Sequence, residues 1–178
     1  MYRMLKKIVT TPLIALSEGD IRGGEAEELG EALRQRVRGT FGGSLAIRVV
    51  SAGSSNAEEQ ELTALTNAYY DVERFGVRFV ASPRHADMLF VTGPVSRNMA
   101  DGLRHSYAAM PTPKWVVAVG DGAIDGGIYR GSYAVYDRVE DIVPVDFMIP
   151  GDPPSPKQIL KALLKILDTI DQNRSTPA

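Results

Sequence analysis

Two runs of almost uniformly apolar residues constrain the fold of this 178-residue chain more than any other feature. Residues 87–92 read DMLFVT and residues 115–119 read WVVAV. A strand with one face in solvent alternates apolar and polar side chains, whereas a strand buried on both faces does not. Both runs therefore predict central strands of a parallel sheet, and such a sheet must carry helices on both of its faces.

Helical and extended segments alternate along the rest of the chain. Apolar residues at helical spacing predict helices over Glu25–Phe41, 58–70, 96–109 and 156–170. Short apolar runs predict strands at 45–50, 77–81, 87–92, 115–119 and 142–145. This order predicts an α/β fold with three layers, in which helices cover both faces of a flavodoxin-like parallel sheet.

We expect one α/β domain over residues 25–170, because 178 residues suit a single domain. Residues 1–24 begin with a basic and apolar stretch and are expected to form an N-terminal extension that contacts a partner or a membrane. The polar residues 171–178 are expected to form a flexible tail.

Composition excludes several classes of function. The net charge of −2 gives no basic field for a nucleic-acid partner, and no stretch reaches the roughly 20 apolar residues of a membrane span. The chain contains no cysteine, which excludes disulfides, thiolate catalysis and ordinary iron–sulfur ligation. With two histidines, His85 and His105, no zinc site is expected.

The loops that follow the predicted strands are rich in Gly, Pro, Ser and Asp, and ligands of parallel sheets bind at such loops. They span residues 51–59, 93–98, 120–131 and 150–156. Neither a dinucleotide-binding nor a P-loop glycine motif is present, and no Ser/His/Asp set has a spacing that indicates a hydrolase. We therefore expect no catalytic residue in this chain.

The same loops carry a distinctive series of strings: AGSSNAEEQELTAL at 52–65, SPRHADML at 82–89, VTGP at 91–94, VGD at 119–121, DGG at 125–127 and IPGDPP at 149–154. Over about residues 45–167, this series resembles the small subunit that carries an iron–sulfur cluster in group 4 membrane-bound hydrogenases and in NADH-quinone oxidoreductases. The resemblance is greatest to the formate hydrogenlyase branch.

The resemblance implies a [4Fe–4S] cluster held by four cysteines, and it assigns those ligands to the positions of Ser55, Glu58, Gly122 and Asp152. None of the four is cysteine, and a conventional cluster of this kind is bound by four thiolates. We therefore expect no cofactor and no bound metal, and we expect that the chain does not relay electrons.

Three hypotheses compete for the substituted positions. Ser55 and Glu58 have the spacing of a capping box, and Asp152 is placed to cap the last helix or its entry turn. Alternatively, Ser55, Glu58 and Asp152 supply oxygen ligands for Mg²⁺ or Ca²⁺, or a nearby arginine pairs with the carboxylates. In the third hypothesis, Glu58 and Asp152 form a proton relay, because close carboxylates raise each other's pKa. The resemblance adds Glu61 to this relay, since the family also has a glutamate at that position.

The function that these expectations favour is that of a non-redox structural subunit. It would dock a large-subunit homologue, with membrane-arm subunits nearby, at the cytoplasmic side of the inner membrane. Two alternatives stay open: a subunit of an active oxidoreductase whose electrons bypass this chain, and a module that binds a small molecule or cation in the vacated pocket.

Overall fold

A computed structural model describes residues 24–175 of the chain. Its main sheet has five parallel strands in the order β2-β1-β3-β5-β7. These strands are β1 (Leu45–Ser51), β2 (Val77–Phe79), β3 (Met88–Thr92), β5 (Trp115–Val119) and β7 (Phe147–Ile149). The predicted flavodoxin-like parallel sheet is confirmed. The expected extension at residues 1–24 lies outside the described residues apart from Gly24.

Within the described residues, five α-helices lie on the two faces of this sheet: α1 (Glu25–Phe41), α2 (Ala57–Ala64), α3 (Ala100–Ala109), α4 (Asp121–Asp125) and α5 (Pro156–Ser175). Helices α1, α2 and α5 pack into one hydrophobic core, and α3 and α4 pack into a second core on the opposite face. Short 3-10 helices occupy Val72–Phe75, Pro83–His85, Gly127–Tyr129 and Val139–Asp141. The result is the predicted three-layer arrangement.

The central strands β3 and β5 explain why their sequences are apolar throughout. Phe90 belongs to the core under α1 and α5, while its neighbour Leu89 belongs to the core under α3, and both are fully buried. Their partners Val117 and Val116 in β5 are buried in the same two cores. Alternate side chains of these strands thus enter opposite cores, and no position faces solvent.

The predicted fifth strand at residues 142–145 is wrong. The chain there leaves the 3-10 helix Val139–Asp141 and remains irregular until β7 begins at Phe147. Pro144 lies in this stretch and has no N–H to give to a neighbouring strand. The Asp146 carboxylate instead accepts a hydrogen bond of 2.7 Å from the backbone N–H of Val116, just before β7 pairs with β5.

Three predicted helix boundaries are also corrected. Helix α2 ends at Ala64 rather than at residue 70, where the Asn67 side chain accepts hydrogen bonds from the N–H groups of Tyr69 and Tyr70 and holds a turn. Helix α3 begins at Ala100 rather than at Ser96, because Ser96 belongs to β4 (Val95–Ser96). This strand pairs antiparallel with β6 (Val135–Tyr136) in a separate two-stranded ribbon.

Helix α5 continues to Ser175, so residues 171–175, which the sequence analysis placed in a polar tail, are helical. This last part of the helix is attached to α1. The Thr40 hydroxyl donates to the Asp171 carboxylate at 2.5 Å, and Arg174 donates to the Thr40 carbonyl at 2.6 Å. Polar residues therefore extend the helix here, because they bond to the end of the neighbouring helix.

Candidate functional site

The four positions assigned to cluster ligands converge on one small pocket at the carboxyl edge of the sheet. Ser55 reaches it from the loop after β1, Glu58 from α2, Gly122 from the short helix α4 that follows β5, and Asp152 from the loop after β7. The cavity holds about 40 Å³. Its lining consists of Ser54, Ser55, Glu58, Pro94, Gly122, Gly126, Gly127, Ile128, Tyr129 and Asp152.

Backbone hydrogen bonds fix the loops that form the pocket. The N–H of Asp121 donates to the Gly151 carbonyl at 2.8 Å, and the N–H of Gly151 donates to the Asp121 carboxylate at 2.9 Å. Gly120 donates to the Ile149 carbonyl at 2.9 Å. The loops after β5 and β7 are thereby joined, so the positions of Gly122 and Asp152 are set by the sheet itself.

Glu58 is the most unusual side chain of the site. It is only 4% exposed, and its buried Oε2 atom has no hydrogen-bond partner among residues 24–175. Burial raises the pKa of this carboxyl, and the neighbouring carboxylates of Glu59, Asp152 and Asp121 raise it further. A side chain on Gly120 would collide with it, since an added Cβ would lie 2.7 Å from Glu58 Oε1.

The next residue, Glu59, has the opposite environment. Its carboxylate accepts hydrogen bonds from the Ser54 hydroxyl, at 2.5 and 2.6 Å, and from the Thr92 hydroxyl at 2.5 Å. Burial alone would raise the pKa of Glu59, but bonds from Ser54, Thr92 and Ser51 outweigh burial and lower it. Glu59 therefore joins the ends of β1 and β3 to α2. The sequence analysis missed this role.

The predicted capping box of Ser55 and Glu58 does not form. The residue that precedes α2 is Asn56, with a φ of 74°, so Glu59 rather than Glu58 occupies the third helical position. Asp152 does not cap α5 either. Ser155 and Gln158 do so, since the N–H and hydroxyl of Ser155 both donate to Gln158 Oε1, at 2.8 and 2.9 Å. The spacing S-x-x-Q at 155–158 was the available signal for this cap.

The residues present do not fit a [4Fe–4S] cluster. Such a cluster takes thiolate ligands, whereas these positions offer one hydroxyl, two carboxylates and a glycine. Space is short as well. A Cβ on Gly122 would lie 3.0 Å from Pro94 Cδ and 3.3 Å from the Cα of Gly93, so even the first atom of a cysteine side chain is crowded there.

Ser55, Glu58 and Asp152, the predicted cation ligands, all line the pocket, whereas the predicted proton relay is brought together only in part. Within residues 24–175, no three Asp, Glu or His side chains are grouped as a metal site. Glu58 and Asp152 share the pocket, but Glu61 is not among its lining residues. The proton relay through Glu58, Glu61 and Asp152 stays a prediction.

The arginines considered as partners for these carboxylates are engaged elsewhere or lie outside the pocket. Arg74 pairs with Glu27 at 2.6 Å, and Arg130 approaches Asp125 at 3.9 Å. Arg97 donates to the Tyr133 carbonyl at 2.6 Å and lies over the Tyr136 ring. Arg84 is exposed and does not line the pocket.

Exposed apolar side chains lie along residues 128–133, a segment that contributes two residues to the pocket lining. Ile128 is 84% exposed and Tyr129 is 46% exposed, and both line the cavity. Tyr133, a few residues farther along the same loop, is 90% exposed. We call these three residues the apolar rim. None of the described helices is both long enough and apolar enough to cross a bilayer.

A larger groove of about 460 Å³ lies apart from the four assigned positions, between α2 and the end of β2. Arg48, Glu59, Leu62 and Phe79 are among its lining residues, and the buried Nε atom of Arg48 has no partner in the part of the chain that the structure describes. Glu59 lines this groove, whereas its neighbour Glu58 lines the pocket. Its size does not make it the functional site, because none of the substituted ligand positions reaches it.

Residues 56–166 match the family described as NADH ubiquinone oxidoreductase, 20 Kd subunit. The chain belongs to this family. The match includes Glu58, Gly122 and Asp152 and begins one residue after Ser55. The resemblance inferred from the loop sequences is confirmed at the level of the 20 kDa subunit family, and the assignment to the formate hydrogenlyase branch stays a prediction.

A solved structure contains a similar chain. It is the membrane-bound sulfane sulfur reductase, described as an archaeal respiratory membrane complex. The two chains are 31% identical, with a TM-score of 0.67, and the alignment covers 82% of this chain and 78% of that chain. The similarity therefore extends over most of both folds.

Proposed function

We propose that this 20 kDa subunit homologue is a cluster-less, non-redox structural subunit of a membrane-associated complex, and that it docks a homologue of the family's large subunit. The complex would lie at the cytoplasmic side of the membrane, and this chain would be bound peripherally through its partners. Similarity to a chain of a membrane-bound respiratory complex supports the assembly.

The observation that carries the cluster-less assignment is the convergence of four non-cysteine residues on a single narrow pocket. Ser55, Glu58, Gly122 and Asp152 come from three separate segments, which follow β1, β5 and β7, yet all four line the same cavity. Their convergence supports the transfer of ligand positions from the family. Their chemistry and the crowding at Gly122 argue that no [4Fe–4S] cluster is bound there.

The apolar rim supports docking. Large apolar side chains that are almost fully exposed are uncommon in clusters on a monomer surface and are typical of contact sites. Ile128, Tyr129 and Tyr133 lie on the loop that forms one wall of the pocket. A partner that covers this rim would close the pocket mouth.

The test is isolation of the native complex from membranes under anaerobic conditions, through an affinity tag on this chain. Mass spectrometry of the purified material should identify a large-subunit homologue. Iron and acid-labile sulfide, measured on this subunit after it is separated from its partners, should be absent, and the isolated subunit should give no EPR signal.

Two outcomes would contradict the proposal in different ways. Recovery of the chain alone from gently solubilised membranes would contradict docking. Stoichiometric iron and sulfide on the separated chain would contradict the cluster-less assignment and leave docking intact.

A further inference from the structure

The buried Oε2 atom of Glu58 has no hydrogen-bond partner among residues 24–175. Glu58 is 4% exposed and faces the cavity that it lines with Asp152. A buried acceptor without a partner is costly, and a charged one is costlier still. An atom of this kind on a residue that lines a pocket indicates a site that is completed by another group.

The charges around the pocket specify which group would complete it. Glu58 lies close enough to the carboxylates of Glu59 on its own helix, Asp152 in the loop after β7, and Asp121 at the start of α4 for all three to act on it electrostatically. Every one of these neighbours is acidic, and Tyr129 is the remaining titratable side chain of the lining. None of the lining residues is basic. The electrostatic complement of this pocket is therefore a cation.

We propose that the pocket receives the ammonium group of a lysine side chain from the docked partner, with Glu58 and Asp152 as its acceptors. The inference rests on the proposed docking function and adds the chemistry of the contact. An ammonium close to Glu58 supplies the missing donor and favours the ionised carboxylate.

The size of the pocket and the nature of its mouth both favour lysine. A cavity of about 40 Å³ is on the scale of a few water molecules, since one water needs roughly 10–15 Å³ measured in this way. An ammonium is a compact point charge, whereas a guanidinium is a broad planar fork. The methylene stem of a lysine packs on apolar surface, and Ile128 and Tyr129 provide such a surface at the mouth.

The experiment compares native complexes that carry Glu58→Gln or Glu61→Gln in the full chain. Gln keeps the shape of Glu58 and removes its charge. We expect the Glu58→Gln subunit to dissociate from the large-subunit homologue at least about tenfold more readily, because a buried charge pair has lost one partner. Glu61, on the same helix but outside the pocket lining, is the matched control and should leave dissociation unchanged.

Proper folding is verified by thermal unfolding of each isolated variant, and Glu58→Gln should melt no lower than the wild type. A Glu58→Gln subunit that folds and stays as tightly bound as the wild type would overturn the inference. Wild-type chain recovered without any large-subunit homologue would instead contradict the proposed function, so the two failures are distinguishable.

Treatment of the wild-type complex with EDTA separates an ammonium from a bridging metal ion. The lysine contact predicts no loss of association on chelation. Dissociation by EDTA that Mg²⁺ reverses would overturn the inference in favour of a divalent cation. Reductive dimethylation of the isolated partner keeps the charge of its lysines and adds bulk, and it should weaken reassociation with this narrow pocket.

Discussion

Glu58 and Glu59 are adjacent residues whose carboxyl groups have opposite surroundings. Glu58 enters a pocket of acidic neighbours and has an oxygen without a partner, while Glu59 accepts bonds from two hydroxyl groups at the ends of β1 and β3. Because the two residues are consecutive in α2, their side chains point in different directions and enter these different surroundings. The surroundings of Glu58 therefore favour its protonated form, whereas those of Glu59 favour its ionised form.

Glu58→Gln should change how stability depends on pH. The pKa of Glu58 is raised above its ordinary value of 4.5 in the folded state, so the folded chain holds this proton more tightly than the unfolded chain. The wild type therefore loses stability as the pH rises from about 4.5 through the folded-state pKa. Gln does not titrate, so the variant should gain stability relative to the wild type as the pH rises. Denaturant unfolding of the isolated chain between pH 4 and 8 measures this difference, and parallel curves would contradict it.

Glu59→Gln should show the opposite dependence. The pKa of Glu59 is lowered in the folded state, so its contribution is present above the ordinary value of 4.5 and is lost as the pH falls through the folded-state pKa. Bonds to charged groups contribute about 1.5–3 kcal/mol each, and partial exposure reduces this, so we expect a loss of about 1–3 kcal/mol at pH 7. The loss should shrink in acid. Urea unfolding at pH 7 and pH 4 checks both values, with Glu61→Gln as the unaffected control.

At the scale of elements, the pattern of apolar residues predicted those strands and helices whose positions depend on burial of their side chains. The runs at β3 and β5 identified strands buried on both faces, and helical spacing located α1 and α5. Patterning failed where a single polar side chain determines the backbone. Asn67 turns the chain after α2, and Asp146 holds the start of β7. The β4–β6 ribbon has two residues in each strand, too few for any periodicity to appear.

The four pocket positions could be assigned from the resemblance to the family, but their surroundings could be learned only from the structure. Spacing suggested a capping box at Ser55 and Glu58, but the positive φ of Asn56 shifts the helix start by one residue. Sequence spacing does not reveal such a shift. The crowding at Gly122 depends on Pro94, and Asp121 helps to raise the pKa of Glu58. In each case the neighbour lies far away in the chain.

The contact between α1 and the 3-10 helix Val72–Phe75 gives a test of packing. A Cβ on Gly30 would lie 2.1 Å from Cε2 of Phe75, a ring that is itself buried and has little room to move. Gly30→Ala should cost about 1–3 kcal/mol, as overpacked cores do. Gly39 lies in the same helix with nothing within 4 Å of an added Cβ, so Gly39→Ala should instead stabilise by about 0.5–1 kcal/mol. Chemical denaturation of both variants tests this pair, and a Gly30→Ala chain as stable as the wild type would contradict the packing.

At the scale of the whole molecule, the two features that indicate a partner both lie at the carboxyl edge of the sheet. The acidic pocket and the apolar rim lie together there, on loops joined by backbone hydrogen bonds. In parallel α/β sheets this edge is where ligands bind. Here the pocket is too narrow for a large ligand and the rim is broad, so the same edge suits a protein surface.

The rim should therefore be required for assembly and dispensable for folding. Ile128 and Tyr133 are 84% and 90% exposed, so replacing both with Ser removes little buried area from the isolated chain, and its melting temperature should stay within about 2 °C of the wild type. The loss of two apolar anchors should reduce co-purification of the large-subunit homologue by at least about tenfold. Tyr69→Ser is the matched control, because Tyr69 is also exposed but lies next to Gly24 at the start of α1. Equal recovery of the partner with the double variant and with Tyr69→Ser would place the docking surface elsewhere on the molecule.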